Sequence, residues 1–222
     1  MEATNQPARK WLGPLLEVVA ICVVELAYYA TCFYIKTKAT DRFGQVSALA
    51  ALSYRFIWFA IPLISALALV ARHRPAWWEL TVRTVCAAFV GLSSAMLAGG
   101  LLCVLHGTAY GLGANRGDAA VIANWAVHLQ HGTAVHGFYP PLQIHMLAWI
   151  SDLTGLPMLY AVKKFQLLSL LVVCPLGYAA WRLLLRPPWA LALGVVGGLP
   201  LVEFYREYPL LILLTFLPVM IA

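Results

Sequence analysis

The sequence predicts an all-α integral membrane protein, a multi-span helical bundle of about six spans. Apolar residues make up 62% of the 222 residues and charged residues only 11%, whereas soluble globular domains have about 45–50% and about 25%. Several apolar runs are longer than about 18 residues, which suits membrane-spanning helices rather than the short alternating strands of a barrel. These observations argue against a soluble domain, a disordered chain, a collagen and a disulfide scaffold.

The first predicted span follows the basic pair Arg9–Lys10 and contains Glu17 and Glu25. It is too long for the core of a signal peptide and no small-residue cleavage site follows it, so we interpret it as a retained signal anchor. Five further apolar runs complete the predicted bundle. The six predicted spans are 11–35, 48–71, 84–106, 158–185, 189–202 and 209–222.

Charged residues inside the predicted spans are costly and are usually paired. Besides Glu17, they include Glu25 and Arg55, which lie at comparable depth on antiparallel spans. This placement favours a structural ion pair between them over a proton path. Between the second and third spans, residues 72–83 combine tryptophans with arginines and are predicted to form an interfacial connector.

Residues 107–141 form a predicted non-membrane segment rich in glycine and histidine. Connections of about 35 residues are unusually long, and long connections are commonly functional. The spacing predicts a helix over Ala119–Gln130, with an apolar face and a polar face that carries Asn124, His128 and His131. Such a pattern is typical of a helix that lies in the membrane interface.

A second short helix is predicted over Leu142–Leu153. Pro141 suits its first helical position, and a Gly-Leu-Pro sequence ends it, which leaves about 14 residues, too few to cross a bilayer comfortably. We therefore predict that residues 107–157 form an outer loop with two juxtamembrane helices. The loop belongs to a single transmembrane domain that covers residues 1–222.

The distribution of Lys and Arg among the loops does not decide whether residues 142–154 cross the membrane. Helix length favours the non-crossing arrangement. That arrangement predicts a multi-pass protein of the plasma membrane with a cytoplasmic N-terminus and the outer loop outside. The last run, 209–222, is still apolar where the sequence ends and is too short for a complete span, which predicts a truncated domain.

Asp118 is the one carboxylate of the segment 107–141 and lies where the first short helix begins. It suits a helix N-cap, because aspartate accepts hydrogen bonds from free backbone N–H groups. It also suits a general base that deprotonates an acceptor hydroxyl, and the two roles are compatible. Arg116 is predicted to pair with Asp118, to anchor the interface, or to hold a phosphate through two parallel hydrogen bonds.

Three further residues are candidates for binding a polar substrate. Tyr139 precedes a double proline, a rigid turn that would let its ring line a pocket. Lys163 begins a span, where it is either a snorkelling anchor or a cation that faces a lipid phosphate. Glu207 lies in a short polar segment, as a solvated charge or as an acidic wall for the substrate.

The remaining polar residues match no strong signature. His128, His131 and His136 do not have the spacing of a metal site, so no metal is predicted. No cofactor is predicted either, although a divalent cation stays open. The five cysteines lie in apolar runs and are interpreted as small core residues. The net charge of +6 sits at span ends rather than on one face, which argues against nucleic acid.

The order of these features resembles the membrane region of the galactan arabinofuranosyltransferases of actinobacteria (the AftA family), in the GT-C superfamily of polyprenyl-phosphate-sugar glycosyltransferases. The likeness is clearest over 107–222. It rests on Asp118 at a helix start, Phe138-Tyr139-Pro140-Pro141, Leu153-Thr154-Gly155-x-Pro157, Lys163, Glu207 and Leu217-Pro218.

The resemblance implies an enzyme that attaches arabinofuranose to cell-wall galactan from a decaprenylphosphoryl-arabinofuranose donor, on the outer face of the membrane. It implies that Asp118 is the catalytic base, that Lys163 and Arg116 hold the donor phosphate, and that Glu207 borders the sugar pocket. The family has further helices and an outer domain, so the resemblance also implies that these 222 residues alone are inactive.

Two other classes of function stay open from the sequence. A transporter would use the charged residues inside the spans, but it would usually show repeated halves or broken helices, and neither is visible. A non-catalytic membrane scaffold is the other alternative. In all three cases the lipid bilayer is an expected partner, and the enzyme adds a polyprenyl-phosphate sugar and a polysaccharide acceptor.

Overall fold

The computed structural model describes residues 7–36, 66, 76–108, 111, 117–133, 141–198 and 216–222, and within them it contains helices and no strand. Residues 216–221 are helical. Numbered in chain order, the longer helices of the described part are α1 (Pro7–Lys36), α2 (Ala76–Val104), α3 (Gly117–Gln130), α4 (Pro141–Thr154), α5 (Met158–Trp181) and α6 (Pro187–Gly198).

Three of these helices are long and apolar enough to cross a membrane, namely α1, α2 and α5, through Trp11–Lys36, Trp78–Cys103 and Met158–Trp181. The protein is therefore a helical membrane protein, as the sequence predicts. The described part of α6 has 12 residues, fewer than a span needs. The predicted span 48–71, apart from residue 66, lies outside the described residues, so the count of six spans stays a prediction.

The predicted connector at 72–83 is wrong from Ala76 onward, because α2 begins there. Trp78 and Arg83 are therefore helical residues rather than loop residues. Glu79 in the first turn complements the positive end of the helix dipole. In the sequence, the aromatic and charged residues of this segment suggest a connector. In the structure, those from Ala76 onward form the first turns of α2.

Helices α1 and α2 run parallel to each other. Gly13 of α1 lies against Arg83 of α2, and Gly91 of α2 lies against the backbone of Ile21. Farther along both helices, the thiol of Cys103 donates to the carbonyl oxygen of Cys32 at 3.6 Å. Glycines at the contact allow the two backbones to approach closely. Two spans are parallel when the chain crosses the membrane once more between them, as the predicted span 48–71 would do between α1 and α2.

Helix α5 runs antiparallel to α2. Ser94 of α2 donates its hydroxyl to the carbonyl oxygen of Leu170 at 2.8 Å, and Lys163 reaches Leu105 at the end of α2. The end of α2 and the start of α5 therefore lie together. The intervening segment leaves and returns at the same end of the bundle, as the non-crossing arrangement of residues 142–154 requires.

Helix α6 returns alongside α5 after a short turn. Gly194 makes this possible, because a Cβ there would lie 2.9 Å from the backbone nitrogen of Tyr178. The contact belongs to a core shared by α2, α5 and α6, while α1 keeps most of its apolar surface exposed. The buried residues of this core are Val82, Cys86, Ala87, Val90, Val173, Cys174, Tyr178, Ala190, Leu191 and Val195.

The bundle thus has two chemically different ends. We call one the arginine end, where Arg83 of α2 and Arg182 after α5 meet Glu17 of α1. We call the other the lysine end, where Lys36 at the end of α1 approaches Lys163 and Lys164 at the start of α5. Helices α3 and α4 pack at the lysine end.

Candidate functional site

The two short helices are held against α5 by a second buried core. Ile122 and Ala126 of α3 meet Leu147 of α4 and Val162 and Phe165 of α5. The apolar stripe that the sequence predicts on the first short helix therefore faces protein. Because burial of these side chains stabilises the contact, α3 and α4 have a defined position at the lysine end.

Asp118 lies in the first turn of α3, one helical turn before the buried Ile122. Residues four apart share a face of a helix, so Asp118 lies on the side of α3 that packs toward α5. The helix begins at Gly117, whose φ of 62° is the left-handed region that favours glycine. Asp118 is thus inside the first turn rather than at the cap, and its carboxylate still complements the helix dipole.

Lys163 has a defined structural contact. Its ammonium donates to the carbonyl oxygens of Leu105 at 2.8 Å and Thr108 at 2.9 Å, just beyond the last residues of α2. Carbonyls at a helix C-terminus lack partners within the helix and favour a cation. Since an ammonium has more hydrogens than these two bonds use, Lys163 retains donor capacity toward the lysine end.

The three lysines repel each other, since Lys36 and Lys164 both act electrostatically on Lys163. Lys36 lies 3.8 Å above the ring of Phe33, a cation–π contact, and Lys164 is exposed. Within the described part of the chain, no carboxylate forms an ion pair with any of the three. Among the described residues, the lysine end therefore carries positive charge that no carboxylate pairs with, beside the helix that bears Asp118.

The structure places two of the five predicted site residues. It brings Asp118 and Lys163 to the same end of the bundle, on helices that share a core. Arg116, Tyr139 and Glu207 lie outside the described residues, and so do Arg55 and His136.

Two buried glutamines at the lysine end were not predicted from the sequence. Gln143 near the start of α4 is 1% exposed and Gln166 in α5 is fully buried. A Cβ on Gly111 would overlap the Gln166 side chain, so the chain after α2 passes directly over it. A glutamine within an apolar run is the signal that would have found them, because buried amides need hydrogen-bond partners.

Polar side chains near the end of α3 contact other protein groups. The Nδ1 atom of His128 lies 3.2 Å from the hydroxyl of Thr133, and Gln130 donates to Asp152 of α4 at 2.5 Å. Among the residues that the structure describes, no group of three His, Cys, Asp or Glu side chains could hold a metal ion.

Two glutamates of α1 lie within the predicted first span, and the structure gives contacts for both. Glu17 accepts a hydrogen bond from Nε of Arg83 at 2.7 Å and lies 3.5 Å from Nε of Arg182. Glu25 lies beside Ser94. The predicted pairing of Glu25 with Arg55 falls on an undescribed residue and stays a prediction.

Comparison with known proteins identifies no relative: no family model, no curated protein and no solved structure matches the chain. The likeness to the arabinofuranosyltransferases therefore rests on the residues and the order of elements given above.

Proposed function

We propose that the chain is the membrane region of a glycosyltransferase that moves arabinofuranose from a polyprenyl-phosphate donor to cell-wall galactan, on the outer face of the plasma membrane. The observation that supports this proposal most is the combination of Asp118 and the three lysines at one end of the bundle. A base and a cluster of positive charge at the membrane surface are the two groups that this reaction needs.

The lysines suit the donor. A polyprenyl-phosphate sugar keeps its chain in the bilayer and its phosphate at headgroup depth. Lys163 and Lys164 lie near the start of the membrane span Met158–Trp181. Cations fixed at that depth stabilise the negative charge of the phosphate as it leaves. Arg116 is proposed to add bidentate hydrogen bonds to the same phosphate.

Asp118 suits the acceptor. The acceptor hydroxyl oxygen attacks the anomeric carbon, the bond from that carbon to the phosphate oxygen breaks, and polyprenyl phosphate leaves. Asp118 takes the hydroxyl proton as general base. Tyr139 and Glu207 are proposed to line the sugar pocket and to hold the two substrates in line.

The test uses the full-length gene product in membranes, supplied with radiolabelled decaprenylphosphoryl-arabinofuranose and a synthetic galactan. Transfer is expected from the wild type, with a loss of about 100-fold or more in Asp118→Asn, the range of general-base contributions. Asp152→Asn is the matched control, because Asp152 is an exposed carboxylate on the neighbouring helix α4. It should transfer as well as the wild type.

Two other outcomes would change the proposal. Equal transfer by the wild type and Asp118→Asn would keep the enzyme class but remove Asp118 from the chemistry. No transfer by folded wild-type protein would contradict the arabinofuranose donor and favour another donor sugar, a scaffold or a transporter.

A further inference from the structure

The arginine end contains a charged cluster that the proposed reaction does not use. Nε of Arg83 donates to Oε1 of Glu17 at 2.7 Å, and Nε of Arg182 lies 3.5 Å from the same oxygen. About a fifth of each arginine side chain is exposed (21% and 20%), against 11% for Glu17. The two guanidiniums thus converge from α2 and the end of α5 onto one carboxylate of α1 and remain accessible.

Hydrogen-bond donors outnumber acceptors in this cluster. Arg182 donates through Nη1 to the carbonyl oxygen of Leu185 at 2.7 Å, but its buried Nε has no hydrogen-bond partner of good geometry. Tyr178 is only 2% exposed, and its hydroxyl lies within hydrogen-bonding reach of Arg182. Each guanidinium has five N–H donors, more than Glu17 and the Leu185 carbonyl accept, so the exposed part of each arginine side chain can take a further acceptor.

The surrounding charges favour an anion as that acceptor. Glu79 acts on Arg83 but is exposed, where water and salt screen its charge. Arg186 lies four residues after Arg182, at the end of the turn between α5 and α6, and is also exposed. Glu17 is the carboxylate in direct contact, and it faces two guanidiniums. Counting the described residues, the cluster therefore has a surplus of positive charge at its accessible side.

The depth of the cluster identifies the anion. Trp78 begins the apolar part of α2 and Trp181 ends that of α5, and tryptophans mark the headgroup level of a bilayer. Arg83 and Arg182 therefore lie near the level of the lipid phosphates. Basic pockets between membrane helices bind anionic headgroups, and a guanidinium matches a phosphate with two parallel hydrogen bonds.

We propose that Arg83 and Arg182 form a binding site for the phosphate group of an anionic membrane lipid, at the end of the bundle opposite the candidate active site. Glu17 orients the two guanidiniums, and the lipid phosphate supplies the remaining negative charge and acceptors. The acyl chains lie along the exposed apolar surface of α1.

The test measures retained lipid on the full chain. The protein is reconstituted in phosphatidylcholine nanodiscs with increasing phosphatidylglycerol, and the bound phosphatidylglycerol is counted by native mass spectrometry. Arg83→Gln and Arg182→Gln are each expected to weaken binding by about tenfold, because each removes a charge-assisted contact. Arg186→Gln is the matched control and should bind as the wild type does.

Glu17→Gln separates this proposal from a purely structural ion pair. The substitution removes the competing carboxylate, so phosphatidylglycerol should bind more tightly, by about threefold or more. Unchanged binding in Glu17→Gln, or equal binding in Arg182→Gln and the wild type, would overturn the proposal. If Arg83→Gln does not fold, Arg182→Gln decides, because Arg83 keeps Glu17 paired in that variant.

A competition experiment separates the binding of a lipid phosphate from the binding of free inorganic phosphate. Inorganic phosphate at millimolar concentration should not displace phosphatidylglycerol from the wild type. Displacement that depends on Arg182 would assign the site to free phosphate and overturn the lipid assignment. An equal loss of binding in Arg186→Gln and Arg182→Gln would show general surface attraction and would also overturn it.

Discussion

The two ends of the bundle use their cations in opposite ways. At the arginine end, two guanidiniums from different helices converge on Glu17. At the lysine end, Lys163 donates to backbone carbonyls just beyond α2, and among the described residues no carboxylate forms an ion pair with it. Arginine has a planar fork that bridges carboxylates, while lysine is a point charge on a flexible stem. The arginine end therefore joins three helices through side chains, and the lysine end keeps positive charge available.

The largest expected effect is at Glu17. Glu17→Gln keeps the size of the side chain but leaves two partly buried guanidiniums without their carboxylate, which should lower the free energy of unfolding by about 2–3 kcal/mol. Thermal unfolding in phosphatidylcholine nanodiscs measures the loss. In nanodiscs with phosphatidylglycerol the loss should be smaller, because a lipid phosphate replaces the carboxylate. A variant as stable as the wild type in both lipids would show that the arginine end does not hold the bundle together.

The next largest effect is expected at the close contact between α1 and α2. A Cβ at Gly91 would overlap the carbonyl oxygen of Ile21, and both atoms belong to backbones that cannot move aside easily. Gly91→Ala should lower the free energy of unfolding by about 2 kcal/mol, as overpacking does. Gly100→Ala is the matched control, since nothing lies within 4 Å of its Cβ and alanine favours a helix. Equal stabilities for the two variants would contradict the close α1–α2 contact.

Local signals in the sequence predict much of this fold. Pro141 and Gly155 bracket α4, and the predicted start of α5 at residue 158 agrees with the structure, because proline and glycine act on the backbone where they stand. The start of α2 was missed, since tryptophans beside arginines suit a connector as well as a helix end. The contact of Glu17 with Arg83 could not be predicted, because it depends on the register of two parallel helices far apart in sequence.

In the candidate site, too, the sequence predicts local features but not the tertiary contacts. The sequence predicts that Asp118 lies at the start of a short helix, and the structure places it inside the first turn rather than at the N-cap. The contact of Lys163 with Leu105 does not follow from any local pattern, because it depends on where α2 ends relative to α5. The sequence predicts which residues carry charge at each end, and tertiary packing decides which of those charges are paired.

At the lysine end, the expected effect is moderate. Lys163→Met removes two hydrogen bonds to carbonyls at the end of α2, which should lower the free energy of unfolding by about 1–2 kcal/mol. Its neighbour provides the control: Lys164 is exposed, and Lys164→Met should change stability by less than about 0.5 kcal/mol. Chemical denaturation of both variants in one detergent gives the comparison. A larger loss of stability in Lys164→Met than in Lys163→Met would contradict the contact of Lys163 with the end of α2.

The smallest effect is expected at the surface link between the two short helices. Gln130 donates to Asp152 at 2.5 Å, but both side chains are exposed, so Gln130→Ala should lower stability by less than about 0.5 kcal/mol. Asn124→Ala, also exposed on α3, is the control. Hydrogen exchange of α3 amides measures the local effect. Since the buried core of Ile122, Leu147 and Phe165 holds α3 and α4 to α5, exchange should stay slow in both variants; fast exchange in Gln130→Ala alone would show that the surface link, and not the core, positions the helix that carries Asp118.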